Sequence, residues 1–571
     1  MEPAKSTAPP NYYCTWRLME WLPENCGEDG YTVRDIMCDR FMFGKDGIAV
    51  KMHPESRKDL YLLLDDGWDL RSSGGNTLPE EEWLKPYLGC CQISEEKFPG
   101  YGDTPQERLK TMANKVKALG WRGLGIWISP TIAYGKEVIG RDDEFIDFWR
   151  TRLEWSKYAG VAYWKVDWGD FDISDKHKKQ LAKAKDEIYP ELILENAFIR
   201  APINNKGVES PFSLAVHRHR LSYSDVLRIY DTTFPTSVPT TLSRVAALLM
   251  YPPKMEVGAQ GYINAEDELH VCAALGLTMG IMRYDLGDRD PACGPNASYG
   301  GTGMFPSTRP ARKQNDEVIR SVNWQKRAPA FSIALGNSAI SKELNHDRWK
   351  FTRDQTWNDD YCKREYIEQS APRIIARNVN LPEIKSIHSA EEYPYVMASR
   401  NPSGALSIAT LGRVAVGRGY YDCPAEICWN VGDLSGEIGI FGVYNSLKLE
   451  FNQDLSGKRI FAADLKDEKF FDITNEVIIE NNTIKLSREL ILRYSLSART
   501  DDDFSDGGMV LKIGEAEDYV EVATPKAITK KPPRYHLTKL SLAIVAKVHL
   551  ANNKRKRGKN LAKISDKGRL I

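Results

Sequence analysis

Short apolar and aromatic runs alternate with helical patterns over about the first 280 residues, a rhythm that few folds accommodate. The stronger runs are YLLLDDGW (61–68), GLGIWIS (123–129), AYWKVDWG (162–169) and LILENAF (192–198). Weaker ones follow at VLRIYDTT (226–233), KMEVGAQ (254–260) and GIMRYDL (280–286). Between the first two, Leu109, Met112, Val116 and Leu119 recur at three and four residues and Gly120 ends the pattern, which predicts a helix over Pro105–Leu119. Asp143–Ala159 and Ser174–Ile188 are helical by the same test. With NYYCTW (11–16) as the first strand there are eight, the number a (β/α)8 TIM barrel needs. A doubly wound open sheet is the rival, but no glycine-rich phosphate loop follows the first strand.

After roughly residue 340 the helical patterns give way to PYVMASR, GALSIATLG, EIGIFGVY, SLKLEFN, RIFAADL, NEVIIENNTIKLS and LILRYSLS, with turn signals such as Asn481-Asn482 between them. This texture predicts an antiparallel β-sandwich. The expected domains are therefore a catalytic barrel over 1–340, a β-sandwich with its linker over 341–513, and a flexible basic tail over 514–571. Lys+Arg and Asp+Glu both number 78, yet Thr524–Ile571 holds fourteen basic residues and one acid, so the rest of the chain is as acidic as the tail is basic. An acidic body argues against nucleic acid as its partner. Ten scattered cysteines without a CxxC read as reduced thiols. The start MEPAKSTAPPNYY lacks an apolar signal core and no run reaches the length of a membrane span, so the expectation is a cytoplasmic protein with no membrane partner. Association with further copies of the chain is left open.

In a barrel of this kind the functional side chains sit at the C-terminal ends of the strands. Those ends supply Trp16, Asp65, Asp66, Trp68, Trp127, Lys165, Asp167, Glu195, Arg228, Asp231 and Glu256. Lys165 and Asp167 are two residues apart and so share one face of their strand. A buried ion pair gains little over apolar residues, which makes a purely structural role for this pair uneconomical. The others are weaker singly: Asp66-Gly67 fits a simple turn, Arg228 and Asp231 fit a structural ion pair, and a lone tryptophan is more often core than sugar platform. Together, several carboxylates with aromatics at one mouth suit glycoside cleavage.

The ordered set NYYCTW, LLLDDGW, EKFPG, GLGIWI, YWKVDWG, ILENAF and LRIYD resembles the α-galactosidase superfamily, glycoside hydrolase clan D with its families 27 and 36, over about residues 11–513. The resemblance implies a (β/α)8 barrel, a C-terminal antiparallel β domain and retaining hydrolysis of terminal α-D-galactosides, with no metal or cofactor and a carbohydrate as partner. It implies Asp167 as nucleophile and Asp231 as acid/base, with Asp225 as the competing acid. Asp65 and Asp66 would hold the 4- and 6-hydroxyls, Glu195 would lie near the 2-hydroxyl, and Lys165, Arg228, Trp16, Trp68 and Trp127 would complete the sugar site. Lys165 is expected beside Asp167, keeping it ionised. Gly67 stands where the family has a cysteine. Other sugars of the same clan (α-N-acetylgalactosaminides, α-glucosides, β-L-arabinopyranosides) are alternatives. So are a Schiff-base aldolase using Lys165 and a sugar-binding protein without catalysis.

Overall fold

The structure is a computed structural model that describes residues 8–16, 18–19, 34–69, 92–129, 142–167, 175–197, 211–229, 238–282, 314–350, 366–385, 389–415, 419–501, 503 and 505–514. The basic tail from 515 onward therefore lies outside the described residues, as do Asp231 and the strand exit around it. No helix among the described residues is long and apolar enough to cross a membrane.

The strands β1 (Tyr12–Cys14), β2 (Tyr61–Leu64), β3 (Gly123–Ile128), β4 (Tyr163–Val166), β5 (Ile193–Ala197), β6 (Val226–Arg228), β7 (Tyr262–Asn264) and β8 (Gly280–Ile281) form one parallel sheet in the order 7-6-5-4-3-2-1-8. A parallel bridge between Asn264 and Thr278 joins β7 to the residues just before β8 and closes the ring. The fold is a TIM barrel. Its helices between strands include α1 (Pro105–Ala118), α2 (Asp142–Ala159), α3 (Asp175–Ile188), α4 (Pro211–Ser222), α5 (Val238–Met250) and α6 (Leu269–Leu275), and α7 (Asn315–Arg327) follows β8. α1 shows why the local sequence starts where it does. Thr104 accepts from the Glu107 amide while the Glu107 carboxylate accepts from the Thr104 amide, and Pro105 occupies the first turn.

Period-two alternation sorts every strand into two faces. The outward set, including Tyr13, Leu62, Leu64, Ile126, Trp164, Leu194 and Leu227, packs under the helices in one apolar core. The inward set begins apolar, with Tyr12, Tyr61, Tyr163 and Val226 in a second cluster, and turns charged towards the strand ends. Gly125 makes room there, since a Cβ would come within 3.2 Å of the Tyr163 Cβ.

The seventh strand is not at 254–260 as the alternation of that stretch suggested. Val257 is fully exposed, Gly258 and Gly261 take positive φ, and the Ala259 amide turns back to the Glu256 carbonyl. The segment is a turn leading into β7, so Glu256 lies before its strand and pairs on the surface with Lys179 at 2.6 Å.

Four further sheets follow among the described residues, two of them two-stranded (Leu344–Lys350 with Tyr366–Pro372, and Arg413–Ala415 with Gly419–Tyr421) and two larger. The larger, eight-stranded sheet runs Phe471–Asp472, Arg459–Asp464, Gly508–Gly514, Ile438–Phe441, Leu406–Leu411, Tyr395–Arg400, Ile374–Arg377 and Ser338–Ile340. The smaller has five strands, Glu383–Lys385, Ala425–Gly432, Tyr444–Phe451, Thr483–Ser487 and Ile478–Glu480, and the facing sides share one apolar core. Most pairings are antiparallel, though Ile374–Arg377 with Tyr395–Arg400, Leu406–Leu411 with Ile438–Phe441, and Ala425–Gly432 with Tyr444–Phe451 are parallel. LILRYSLS is not a strand but part of a helix, Arg488–Ser495. The Ser487 hydroxyl caps it by accepting from the Leu490 amide, and Leu490, Ile491 and Tyr494 fall on one buried helical stripe.

α6 and α7 pack the barrel against the larger sheet. Arg320 on α7 makes a bidentate pair with Asp464 at 2.8 and 2.9 Å, and neither side chain is exposed. The α7 amides of Asp316 and Glu317 donate to Asp503 and Ser505, which follow the capped helix. Removing one partner of a buried pair strands the other charge, so Arg320→Ala should lose about 3–5 kcal/mol in denaturant unfolding, while Arg320→Met with Asp464→Leu should lose far less.

Burial, and then the charge of Asp316, push the Asp503 carboxyl up to about 6. A folded-state pKa above the ordinary value favours the fold at low pH, and that contribution fades as pH rises through 6. The Tm advantage of wild type over Asp503→Asn should therefore be largest near the ordinary carboxyl value and shrink towards neutrality in a thermal-melt series.

Candidate active site

The inward charged residues meet at the C-terminal end of the barrel because the register lines them up. Lys165 on β4 pairs in register with Trp127 on β3 and Glu195 on β5. Lys165 Nζ lies 2.7 Å from Asp65 Oδ2 at the end of β2, both almost fully buried. The Cys14 thiol donates to the same oxygen at 3.0 Å, and the Thr15 hydroxyl accepts from the Asp65 amide. Burial alone would lower the Lys165 pKa, but the charge of Asp65 beside it raises it above the ordinary lysine value. The amine is held as an ammonium, which disfavours imine chemistry.

Lys165 is therefore not the direct partner of Asp167. Asp167 accepts from Arg228 Nη2 at 2.5 Å and from the Trp127 indole N–H at 2.9 Å. Its side chain keeps 13% of its surface exposed, in contrast to the buried acids around it. The inversion has a simple cause: same-face neighbours on a strand stand apart, whereas across the barrel mouth the ends of β2 and β6, each one strand removed from β4, bring Asp65 to the lysine and Arg228 to the aspartate.

Arg228 touches more than Asp167. Nη1 donates to Glu266 Oε1 at 3.0 Å, and Nε lies 3.3 Å from Glu195 Oε1. Glu195 is fully buried. Its Oε1 accepts from the Tyr12 hydroxyl at 3.1 Å, and its Oε2 from the Tyr163 hydroxyl at 2.6 Å and the Asn264 amide at 2.8 Å. Burial raises its pKa, and the charge of Arg228 opposes the rise.

Asp66 sits beside Asp65, donates its backbone amide to Asp65 Oδ1, and pairs with Arg34 at 2.6 Å. Trp68 lies in the outer core with its indole N–H on the Trp127 carbonyl at 2.9 Å. Trp16 and Trp127 belong to the inner cluster with Tyr12, Cys14 and Met282.

Asp225 immediately precedes β6, so it stands at the N-terminal end of the barrel, away from this cluster. There Lys185 pairs with it at 2.8 Å and the Leu194 amide donates to it at 2.9 Å, a complete structural environment. Asp225 and Glu256 are thus both removed from the mouth. Residues that sequence reading did not single out complete the site: Tyr12, Cys14, Tyr163, Asn264, Glu266 and Arg34. The YIN–AEDE transition at 262–268 carries the same strand-then-acid signal as β2 and β4, and the false strand at 254–260 concealed it.

No protein-family model and no curated protein matches the chain. Among solved structures it is similar to a GH27 β-L-arabinopyranosidase from Geobacillus stearothermophilus (10% identity, 90% of this chain and 98% of that one, TM-score 0.39). It is also similar to a candidate α-N-acetylgalactosaminidase from Bacillus halodurans (11% identity, 90% and 98%, TM-score 0.35). An α-amylase from Anoxybacillus is a third (8% identity, 89% and 98%, TM-score 0.39).

Burial, opposed by the Arg34 charge and reinforced by those of Asp65 and Asp167, pushes the Asp66 carboxyl up to about 6. An infrared pH titration, wild type minus Asp66→Asn, should show one carboxyl converting to carboxylate near pH 6. Arg34→Ala should move that conversion upward, because it removes the cation that favours the charged form. A midpoint near the ordinary aspartate value would contradict this environment.

Proposed function

We propose that the protein is a retaining exo-glycosidase that hydrolyses terminal α-D-galactosides. The observation that carries this reading is Asp167: a partly exposed carboxylate at the end of β4, aimed by two donors, with a lysine and further acids around the same mouth. A nucleophile must be ionised and fixed, and Arg228 and Trp127 supply the charge-assisted and neutral hydrogen bonds that do both. Asp167 attacks the anomeric carbon while Asp231 protonates the leaving oxygen. Asp231 then takes a proton from the water that releases the sugar, and the configuration is retained. Asp231 holds this role by resemblance and because Asp225, its competitor, stands at the other end of the barrel.

Galactose is the expected sugar because Asp65 and Asp66 stand side by side at the end of β2, where by resemblance they accept from the 4- and 6-hydroxyls. Lys165 pairs with Asp65 there at 2.7 Å and fixes its position. Glu195 is fully buried and already accepts from Tyr12, Tyr163 and Asn264, so little of its acceptor capacity is left for the 2-hydroxyl. Selectivity against a 2-acetamido group then rests on space more than on a ready acceptor.

A panel of nitrophenyl glycosides tests the substrate, with the highest kcat/KM expected on the α-D-galactoside. Asp167→Asn should lower turnover by roughly a thousandfold or more with the fold intact. Asp167→Gly with azide should yield the β-glycosyl azide. Asp231→Ala should keep activity on the nitrophenyl substrate and lose it on a disaccharide, whose leaving group needs the proton. Substantial turnover by Asp167→Asn would overturn the assignment. Turnover confined to another glycoside of the panel would replace the sugar and keep the mechanism.

A further inference from the structure

Glu266 lies two residues beyond β7 and is fully buried. Its backbone has φ +47°, in the left-handed region that non-glycine residues seldom occupy. Such strain persists where the surroundings fix it, and it concentrates at functional sites. Here the surroundings are visible: the Glu266 amide donates to Asn264 Oδ1 at 2.7 Å, and the other end of the same Asn264 side chain donates to Glu195 at 2.8 Å. Asn264 therefore sets the positions of two carboxylates at once.

Both carboxylates face one guanidinium. Glu266 takes Nη1 of Arg228, Glu195 lies against Nε, and Nη2 is left pointing at Asp167. A guanidinium is a rigid planar fork, so fixing two of its nitrogens fixes the direction of the third. Without Glu266 the plane can turn about the Nε side, and the N–H that aims Asp167 turns with it.

We propose that Glu266 is a positioning residue that orients Arg228, and through it the attacking carboxylate of Asp167. The role rests on the glycosidase reading for its consequence in turnover, and on geometry alone for its effect on Arg228.

Two measurements separate these. In crystal structures, Glu266→Ala should show Arg228 Nη2 withdrawn from Asp167, while Glu266→Gln, which keeps an acceptor of the same reach, should leave it in place. In kinetics on the best nitrophenyl glycoside, Glu266→Ala should lower kcat by about 10- to 100-fold, the scale of a misplaced reacting group. KM should stay within about threefold, and Glu266→Gln should restore most of kcat. Glu266→Asp keeps the charge but withdraws the carboxylate, so it should behave as Ala does and provides the reading if the Ala variant fails to fold. Arg228 unmoved in the Ala or Asp variant would overturn the proposal, as would unchanged kcat in a variant where it has moved. Were the wild type to cleave no glycoside, the function above would fail, and the crystal structures alone would decide the role of Glu266.

Discussion

A carboxylate buried without a partner is destabilising by several kcal/mol, and the upper half of this barrel buries Asp65, Asp66, Glu195 and Glu266 almost completely. The interior is possible only because Lys165, Arg228 and Arg34 reach them. Even then, paired charges in such a place seldom outperform apolar side chains of the same volume. The charged layer cannot be what stabilises the barrel. It is carried by the outward face of the same strands, where leucines, isoleucines and tryptophans pack under the helices.

That load is shared with the sheets that follow. The Arg377 guanidinium donates to the Leu275 carbonyl at the end of α6, and Ser407 donates to the neighbouring Ala274 carbonyl. Burial lowers the Arg377 pKa to about 9, so a cation is retained here near neutrality in spite of its desolvation. α6 begins three residues after Glu266, and β7 lies directly before it. The larger sheet thus anchors the stretch of chain that sets one wall of the site. Among the barrel strands β8 is the shortest, at two residues, and β1, β6 and β7 have three each.

The alternation of strand and helix, together with period two within each strand, made most of the barrel legible. Asp65, Lys165, Asp167, Glu195 and Arg228 could be placed on the inward face from sequence because each follows its strand's apolar residues at even spacing. What sequence could not supply was register between strands. Asp167 and Lys165 look like partners in one dimension, and only the lateral alignment of β2, β4 and β6 shows that each pairs elsewhere. Asp225 stood as a competing acid for a related reason: it is adjacent to β6 in sequence, but at the opposite end from the mouth. Val257 and Met255 alternate like a strand while glycines on either side of Ala259 and Gln260 turn the backbone away. LILRYSLS shows the converse: its leucines and arginine are good helix formers, and a serine cap starts the helix.

The exchange of partners has a mechanical consequence for β4. Its end is held on one side through Lys165 to β2, and on the other through Asp167 to β6, with the Trp127 indole of β3 as a third attachment. Neighbouring charges paired only with each other would have added nothing to the backbone ladder that already joins the end of β4 to β3 and β5. Cross-strand pairing converts the same two side chains into links among four strands. A catalytic carboxylate has to be held to within a fraction of an ångström, and side chains borne on strands and locked by neighbours achieve that better than groups on loops. The ion pairs contribute little net stability by this argument. Their contribution is to fix where Asp167 points.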